Sequence, residues 1–301
     1  MMHKEKEAIF IKGLVFKLNT FTNDDSFPFY IQYGNHDEQM FLHGHEDFSE
    51  LVIVLSGSAV HVVGKDETER FEIKKGDVFV MNEGTYHGYE NAKDLKICNI
   101  MFKTEHLIDE TLDIRRLAGF HALFLLEPKY NNENGFKSRL KLTATAFSKV
   151  ENLIEQAVEE YLGNAPGRKT IIHSLFLQIV VILSRLYGTN VHHKEIESIS
   201  NAAAYIETNF MNDISISELL NVSHYSQRHF IRLFSATYST TPQQYLLNIR
   251  IRHACSLLKD KAFSITEIAT RCGFNDSNYF CRIFKKNIGV TPSAYRKASI
   301  F

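Results

Sequence analysis

The most constraining feature of the chain is a pattern written twice near its end. In ISISELLNVSHYSQRHFIRLFSATY (214–238) and in SITEIATRCGFNDSNYFCRIFKKNIG (264–289), a short apolar run, a turn and a second apolar-striped run follow one another. The stripe is Phe230, Leu233 and Phe234 in the first copy and Phe280, Ile283 and Phe284 in the second. Phe230 and Phe280 stand 50 residues apart. Spacings of three and four are helical. Ser217 and Ser226 are placed to cap the two helices of the first copy. Ser264, then Asp276 or Ser277, are placed to cap those of the second, because a side-chain oxygen there accepts a first-turn N–H. Gly273 supplies the second turn. With the stripes inward, Gln227, Arg228, Ile231 and Arg232 lie on outer faces of one helix, and Asn278, Tyr279 and Arg282 on those of the other. A short helix, a tight turn and a helix exposing Arg and Gln describe a helix-turn-helix.

Between the copies, TPQQYLLNIRIRHACSLLKD (241–260) has Pro242 at a helix start and a stripe of Leu246, Ile249, His253, Leu257 and Leu258. One continuous helix here would hold the two units at fixed separation. Two recognition helices could then enter successive major grooves, about 34 Å apart. The charge distribution agrees. The net charge is −1, but residues 1–194 carry 22 basic and 27 acidic side chains, whereas residues 195–301 carry 12 basic and 8 acidic. The basic end is attracted to nucleic acid and the acidic end repelled.

Residues 199–298 resemble the DNA-binding domain of the AraC/XylS family. The pattern IxxIAxxxGFxDxxYFxRxFKKxxGxTPxxYR is filled by Ile265 to Arg296 almost without departure. The first copy departs from the pattern at Leu220, where Ala is usual, and at His224, where Gly is common. The resemblance implies double-stranded DNA as partner. It places base reading on Arg228 and Arg232, with Gln227 beside them, and on Ser277, Asn278 and Arg282. Arg pairs bidentately with guanine and Asn with adenine. Lys285, Lys286 and Arg296 are expected at phosphates or in solvent.

The N-terminal half changes period. From about residue 9 to 103, runs such as LVIVL (51–55) and FEIKKGDVFVM (71–81) read as short strands, the pattern of a barrel or sandwich. His43 and His45 stand two apart, on one face of a strand. Glu50 and Gly57 follow, and later GDVFVMNEGTYHGYEN (76–91) brings His87. The pattern HxHx4Ex6G then Gx5NxGx2Hx3N resembles the two cupin motifs, with Asn82 where Pro is usual. This implies a small barrel that binds a small molecule. The matching residues of metal-binding cupins, here His43, His45, Glu50 and His87, hold a divalent metal, which leaves a metal-dependent enzyme as the rival reading. The attached DNA-binding domain favours a sensor without metal or other cofactor. The barrel is most similar to the rhamnose-responsive branch of the family, so the expected effector is a carbohydrate. His43, His45, Glu50, His87 and Tyr89 would supply its hydrogen bonds, and Phe41, Phe48 or Tyr86 its apolar faces.

Between the halves, Phe147, Val150, Leu153, Ile154, Ala157, Val158 and Tyr161 mark an amphipathic helix that Gly163 ends. A second helix, about Thr170 to Tyr187, is apolar nearly all round. In this family such helices commonly make the dimer interface, so a homodimer is expected.

The resulting expectation is an α+β chain of two domains. Residues 1–190 hold the barrel (about 9–103) and two helices (about 144–187). Residues 191–198 form the linker, within a polar stretch at 188–198, and residues 199–301 the double helix-turn-helix. The four cysteines form no CxxC pair, and no apolar run is long enough to span a bilayer. The cysteine usage therefore reads as cytoplasmic, with no membrane. The family resemblance implies a transcription regulator rather than an enzyme, more usually an activator, with RNA polymerase as a further partner, although the sequence does not decide activator from repressor. A DNA-binding protein whose barrel is only structural is the third reading.

Overall fold

The computed structural model describes residues 14–36, 42–64, 69–109, 111–128, 139–187 and 194–298. The expected barrel start at residues 9–13, Phe41 and the polar residues 188–193 lie outside them. The chain divides into two compact units: Met1–Asp109 with Ala122–His192, and Glu110–His121 with His193–Phe301. The short segment ending at His121 therefore joins the C-terminal unit, which a division into two contiguous pieces does not anticipate.

The first unit is built on one eight-stranded sheet: β1 (Leu14–Phe16), β2 (Phe29–His36), β3 (His43–His45), β4 (Ser49–Val63), β5 (Glu69–Lys74), β6 (Asp77–Met81), β7 (Tyr86–Phe102) and β8 (Leu140–Lys141). Its path is β1-β3-β7-β4-β6-β8, with β2 also on β7 and β5 also on β4. The long strands β4 and β7 pair with each other and shift register between Val54 and Val60. Gly57 sits in that shift at φ +69°, and a Cβ there would meet the Asp94 carbonyl oxygen at 2.2 Å. Only glycine fits, and the irregularity lets the two strands bend. Val52, Val54, Ala59, Val63, Ile73, Phe79, Met81 and Ile97 fill the interior.

Two short helices follow, α1 (Thr104–Leu107) and α2 (Ala118–Phe120), the second running on into a π-helical turn, His121–Leu126. Then come α3 (Ala144–Leu162) and α4 (Arg168–Tyr187), where the sequence places its two helices. Thr143 caps α3 by accepting the Ala146 N–H. The stripe Phe147, Val150, Leu153, Ile154 and Ala157 is buried. By length and mean hydropathy (1.6) α4 could cross a membrane. In this fold it is a core helix: Leu175, Phe176, Ile179, Val180 and Leu183 are buried within the unit, and the Phe176 ring packs on Phe29 and Phe102. The apolar run expected to make a dimer face is thus largely spent inside one chain.

The second unit holds α5 (Lys194–Asn209), α6 (Ile216–Ser223), α7 (Gln227–Tyr238), α8 (Pro242–Leu258), α9 (Ile265–Arg271), α10 (Ser277–Ile288) and α11 (Pro292–Ala298). Lys194–Ser198, expected in the linker, is the first turn of α5, with Ile196 and Ser198 already buried. Glu207 of α5 is 3% exposed. It accepts the Tyr245 hydroxyl at 3.1 Å and stands 3.5 Å from Arg252 and 4.0 Å from Arg115. Arg115 belongs to the added segment, as do the buried Ile114, Phe120 and His121. His121 donates through Nε2 to the Arg115 carbonyl at 2.7 Å and accepts at Nδ1 from the Tyr238 hydroxyl at 3.0 Å. Burial pushes its pKa down to about 3, so it serves as a neutral ring with one donor and one acceptor.

Candidate nucleic-acid interface and barrel site

Each recognition helix stands on a buried pair of phenylalanines. Phe230 and Phe234 under α7, and Phe280 and Phe284 under α10, are fully buried. Residues three and four apart share a helix face, so burying these pairs turns the opposite side outward. There Gln227, Arg228, Arg232, Asn278, Arg282, Lys285 and Lys286 are exposed, and Ser277 is half-buried. The turns differ in chemistry. Gly273 has φ +79°, and a Cβ would meet the Phe210 carbonyl oxygen at 2.7 Å. In the first copy His224 takes the left-handed conformation itself, at φ 58°. The departure from Gly leaves the turn in place at some backbone cost.

The caps need correction. Ser215, not Ser217, caps α6, and its reciprocal pairing with Glu218 closes a capping box. Ser264 does the same with Glu267 on α9, as expected. Ser226 is at the cap position of α7 but accepts no helix N–H. Asp276, rather than Ser277, caps α10. Arg296 does not stand free for a phosphate: its Nη2 donates to the Phe263 carbonyl at 2.7 Å and ties α11 to the start of the second copy. Arg250 likewise holds the Phe210 and Asn212 carbonyls, both at 2.8 Å. One contact had no signal in the sequence. Arg232 Nη2 lies 3.3 Å from His229 Nδ1, and the His229 ring packs on Tyr225, which restrains an otherwise exposed arginine.

In the sheet, His43 and His45 of β3, Glu50 of β4 and His87 of β7 come together, with one nitrogen or oxygen atom of each within 4.8 Å of the others. Pairing puts His43 opposite His87. His45, Glu50 and His87 are buried. The Glu50 Oε2 lies 3.1 Å from His87 Nε2 and 3.4 Å from His45 Nε2, and those two nitrogens are 3.2 Å apart. His61, which the motif does not include, adds Nε2 at 3.2 Å from His87 Nδ1. Tyr89 does not join the four; it is part of the apolar interior and stacks on His61. Phe48 stacks on His45 with centroids 4.5 Å apart. The Tyr86 ring covers Gly44, where a Cβ would meet it at 3.0 Å.

Burial pushes the pKa of His45 down to about 3, with Glu50 only partly opposing, and lowers that of His61 well below its ordinary value. For Glu50 burial acts upward, but the hydrogen bond from His87 and the surrounding imidazoles outweigh it and hold the carboxyl at about 2. The result is a buried carboxylate among imidazoles. The donor set fits a divalent cation. Ligands about 2.1 Å from one ion stand roughly 3.0–3.4 Å apart, the spacing of these three atoms, and three nitrogens with one oxygen suit iron, nickel or zinc. A cation would also compensate the buried negative charge.

Residues 219–298 match the helix-turn-helix domain family, and residues 29–101 match the cupin domain family. The chain is 26% identical over 281 residues to the HTH-type transcriptional activator RhaR of Mannheimia succiniciproducens, covering 93% of this chain and 95% of that protein. It is 26% identical over 271 residues to a protein of the same name from Yersinia pseudotuberculosis, covering 89% and 88%. Among solved structures, it is 26% identical to an AraC-type transcriptional regulator from Chromobacterium violaceum, covering 34% of this chain and 92% of that one, with a TM-score of 0.33. With two helix-turn-helix units on one side of the division and a sheet carrying the cupin residues on the other, the chain has the domain pair of a DNA-binding transcription regulator and is similar to AraC-family regulators that have a cupin N-terminal domain.

Proposed function

We infer that the chain is a transcription activator of the cytoplasm that binds double-stranded DNA through α7 and α10 and is switched by a small molecule, a carbohydrate, held in the sheet-rich unit. It is not an enzyme. RNA polymerase and a second copy of the chain are its protein partners. The carrying observation is the outward face of the two helices: Arg228 and Arg232 on one, Asn278 and Arg282 on the other, each helix fixed by a buried phenylalanine pair. Base-reading side chains need both exposure and a rigid backbone, and these have both. The activator reading and its sugar are supported by the relatives named RhaR and by the likeness of the sheet-rich unit to rhamnose-responsive sensors. In this reading, the buried His43–His45–Glu50–His87 cluster holds together the end of the sheet where the effector sits.

The test is competition between DNA sequences. Arg282→Ala is expected to weaken binding to the cognate site roughly 5- to 150-fold, the ~1–3 kcal/mol of one bidentate base contact, and to change binding to random DNA little. A uniform loss across sequences with a shallower salt dependence would make Arg282 a phosphate contact instead.

A further inference from the structure

Four of the expected effector residues, His43, His45, Glu50 and His87, lie against one another, so a sugar among them would have to displace those contacts. A separate pocket of about 380 Å³ opens beside them in the same unit, within the size range of small-molecule sites. Its wall includes Asp47, Phe48, Ser49, Asn82, Phe124 and Leu125. We propose that this pocket is the effector site for a neutral polyhydroxylated ligand, and that the ligand acts on the DNA-binding unit through the helix that begins at Ala118 and carries Phe124 and Leu125. The proposal rests on the effector-gated reading above and specifies where and how that gating occurs.

The chemistry of the wall selects the ligand class. The Ser49 hydroxyl donates to Asn82 Oδ1 at 2.9 Å, which leaves the Asn82 amide hydrogens for a ligand oxygen. Asn82 is the position where the cupin motif usually has Pro, a residue with no such donor. Lys103 also lines the pocket, but it is ion-paired with Asp47 at 2.8 Å, and Glu83 and Glu105 add two further negative charges. The balance disfavours a sugar phosphate or sugar acid and suits hydroxyl groups. Phe48 and Phe124 also line the pocket, and at 3% exposure each they contribute apolar wall rather than open ring faces. Phe48 also separates the pocket from the histidine cluster by stacking on His45.

The chain itself joins the pocket to the DNA-binding unit. Phe124 and Leu125 belong to the π-helical turn His121–Leu126, and the chain passes from one unit to the other within that turn, between His121 and Ala122. On one side of this point the helix lines the pocket. On the other, His121 is locked by the Arg115 carbonyl and the Tyr238 hydroxyl, and Tyr238 is the last residue of recognition helix α7. A π turn places an extra residue in each turn and is a common feature of functional sites. A ligand packed on Phe124 and Leu125 that prefers one register of this turn shifts the population of that register, and His121 carries the difference to the end of α7.

Two measurements on the full-length chain separate the parts. Melting temperature is recorded with a panel of neutral monosaccharides that includes L-rhamnose, and the ratio of DNA affinities with and without the stabilising sugar is recorded by fluorescence anisotropy. Leu125→Trp, which fills the pocket, and Asn82→Leu, which removes its donor, are each expected to abolish the sugar-induced rise. Tyr238→Phe is expected to keep the rise and lose at least two-thirds of the sugar-induced change in DNA affinity. A rise that persists in both pocket variants overturns the site, and a full affinity response in Tyr238→Phe overturns the route. If no sugar stabilises the unsubstituted chain, the effector reading itself falls, and this proposal with it.

Discussion

His224 shows how a single residue can break a local rule without breaking the fold. It holds φ 58° at the turn between α6 and α7, where its Cβ crowds the backbone, and its side chain is exposed. The left-handed region costs a residue with a Cβ about 1–2 kcal/mol, partly offset by the entropy that glycine loses on folding. His224→Gly is therefore expected to stabilise the second unit by about 0.5–1 kcal/mol, read as a higher urea midpoint of the full chain at unchanged slope. A lower midpoint would mean that the imidazole makes a contact that outweighs the strain. At Gly273 the opposite holds. The left-handed angle and the approach of the Phe210 carbonyl both require glycine, and the pattern shows it as GF in the sequence. The histidine cluster divides in the same manner. His43, His45, Glu50 and His87 are legible because their spacing follows a motif. His61 is not, because what brings it to His87 is the pairing of the far ends of β4 and β7, and no local pattern records a long-range register.

At the scale of elements, periodicity located the two long central helices and the helix between the repeats but not α5, whose first residues read as linker, and caps decided where the short ones begin. The expected and observed boundaries of the two central helices differ by two residues at most, since α3 and α4 bury stripes that the sequence displays openly. For α6 the sequence reading puts the cap at Ser217, whereas the structure puts it at Ser215, which has Glu218 three positions on to complete the box. This difference is measurable. Ser264→Ala removes a cap that accepts the Glu267 N–H at 3.1 Å and is expected to cost about 1 kcal/mol. Ser226→Ala removes a hydroxyl that makes no such bond and is expected to cost a few tenths at most. Equal losses of melting temperature in the two variants would contradict the cap assignment. The bend of the sheet was less legible. Gly57 is visible in the sequence, but the need for it arises from the Asp94 carbonyl on another strand.

For the whole molecule, the sequence reads as two consecutive domains, and the structure divides it less simply. The segment ending at His121 has too few residues to show a period, and its role depends on Glu207, Tyr238 and Arg252, all far along the chain. Without it, the apolar side chains that receive Ile114 and Phe120 lose that cover, and Glu207 loses one of its two arginines. A fragment of residues 194–301 is expected to exchange the amide hydrogens of α5 markedly faster than the full chain does. Equal protection in both would show that the segment adds nothing to the unit. The same arrangement bears on inheritance. A regulator made of two cleanly consecutive pieces can trade its DNA-binding end with a relative through a single crossover in its gene. Here that crossover would pair a foreign α5 and α7 with the old Ile114, Arg115, Phe120 and His121, so a working exchange needs a second, matching replacement upstream. The two ends of this chain are thereby bound to a common line of descent.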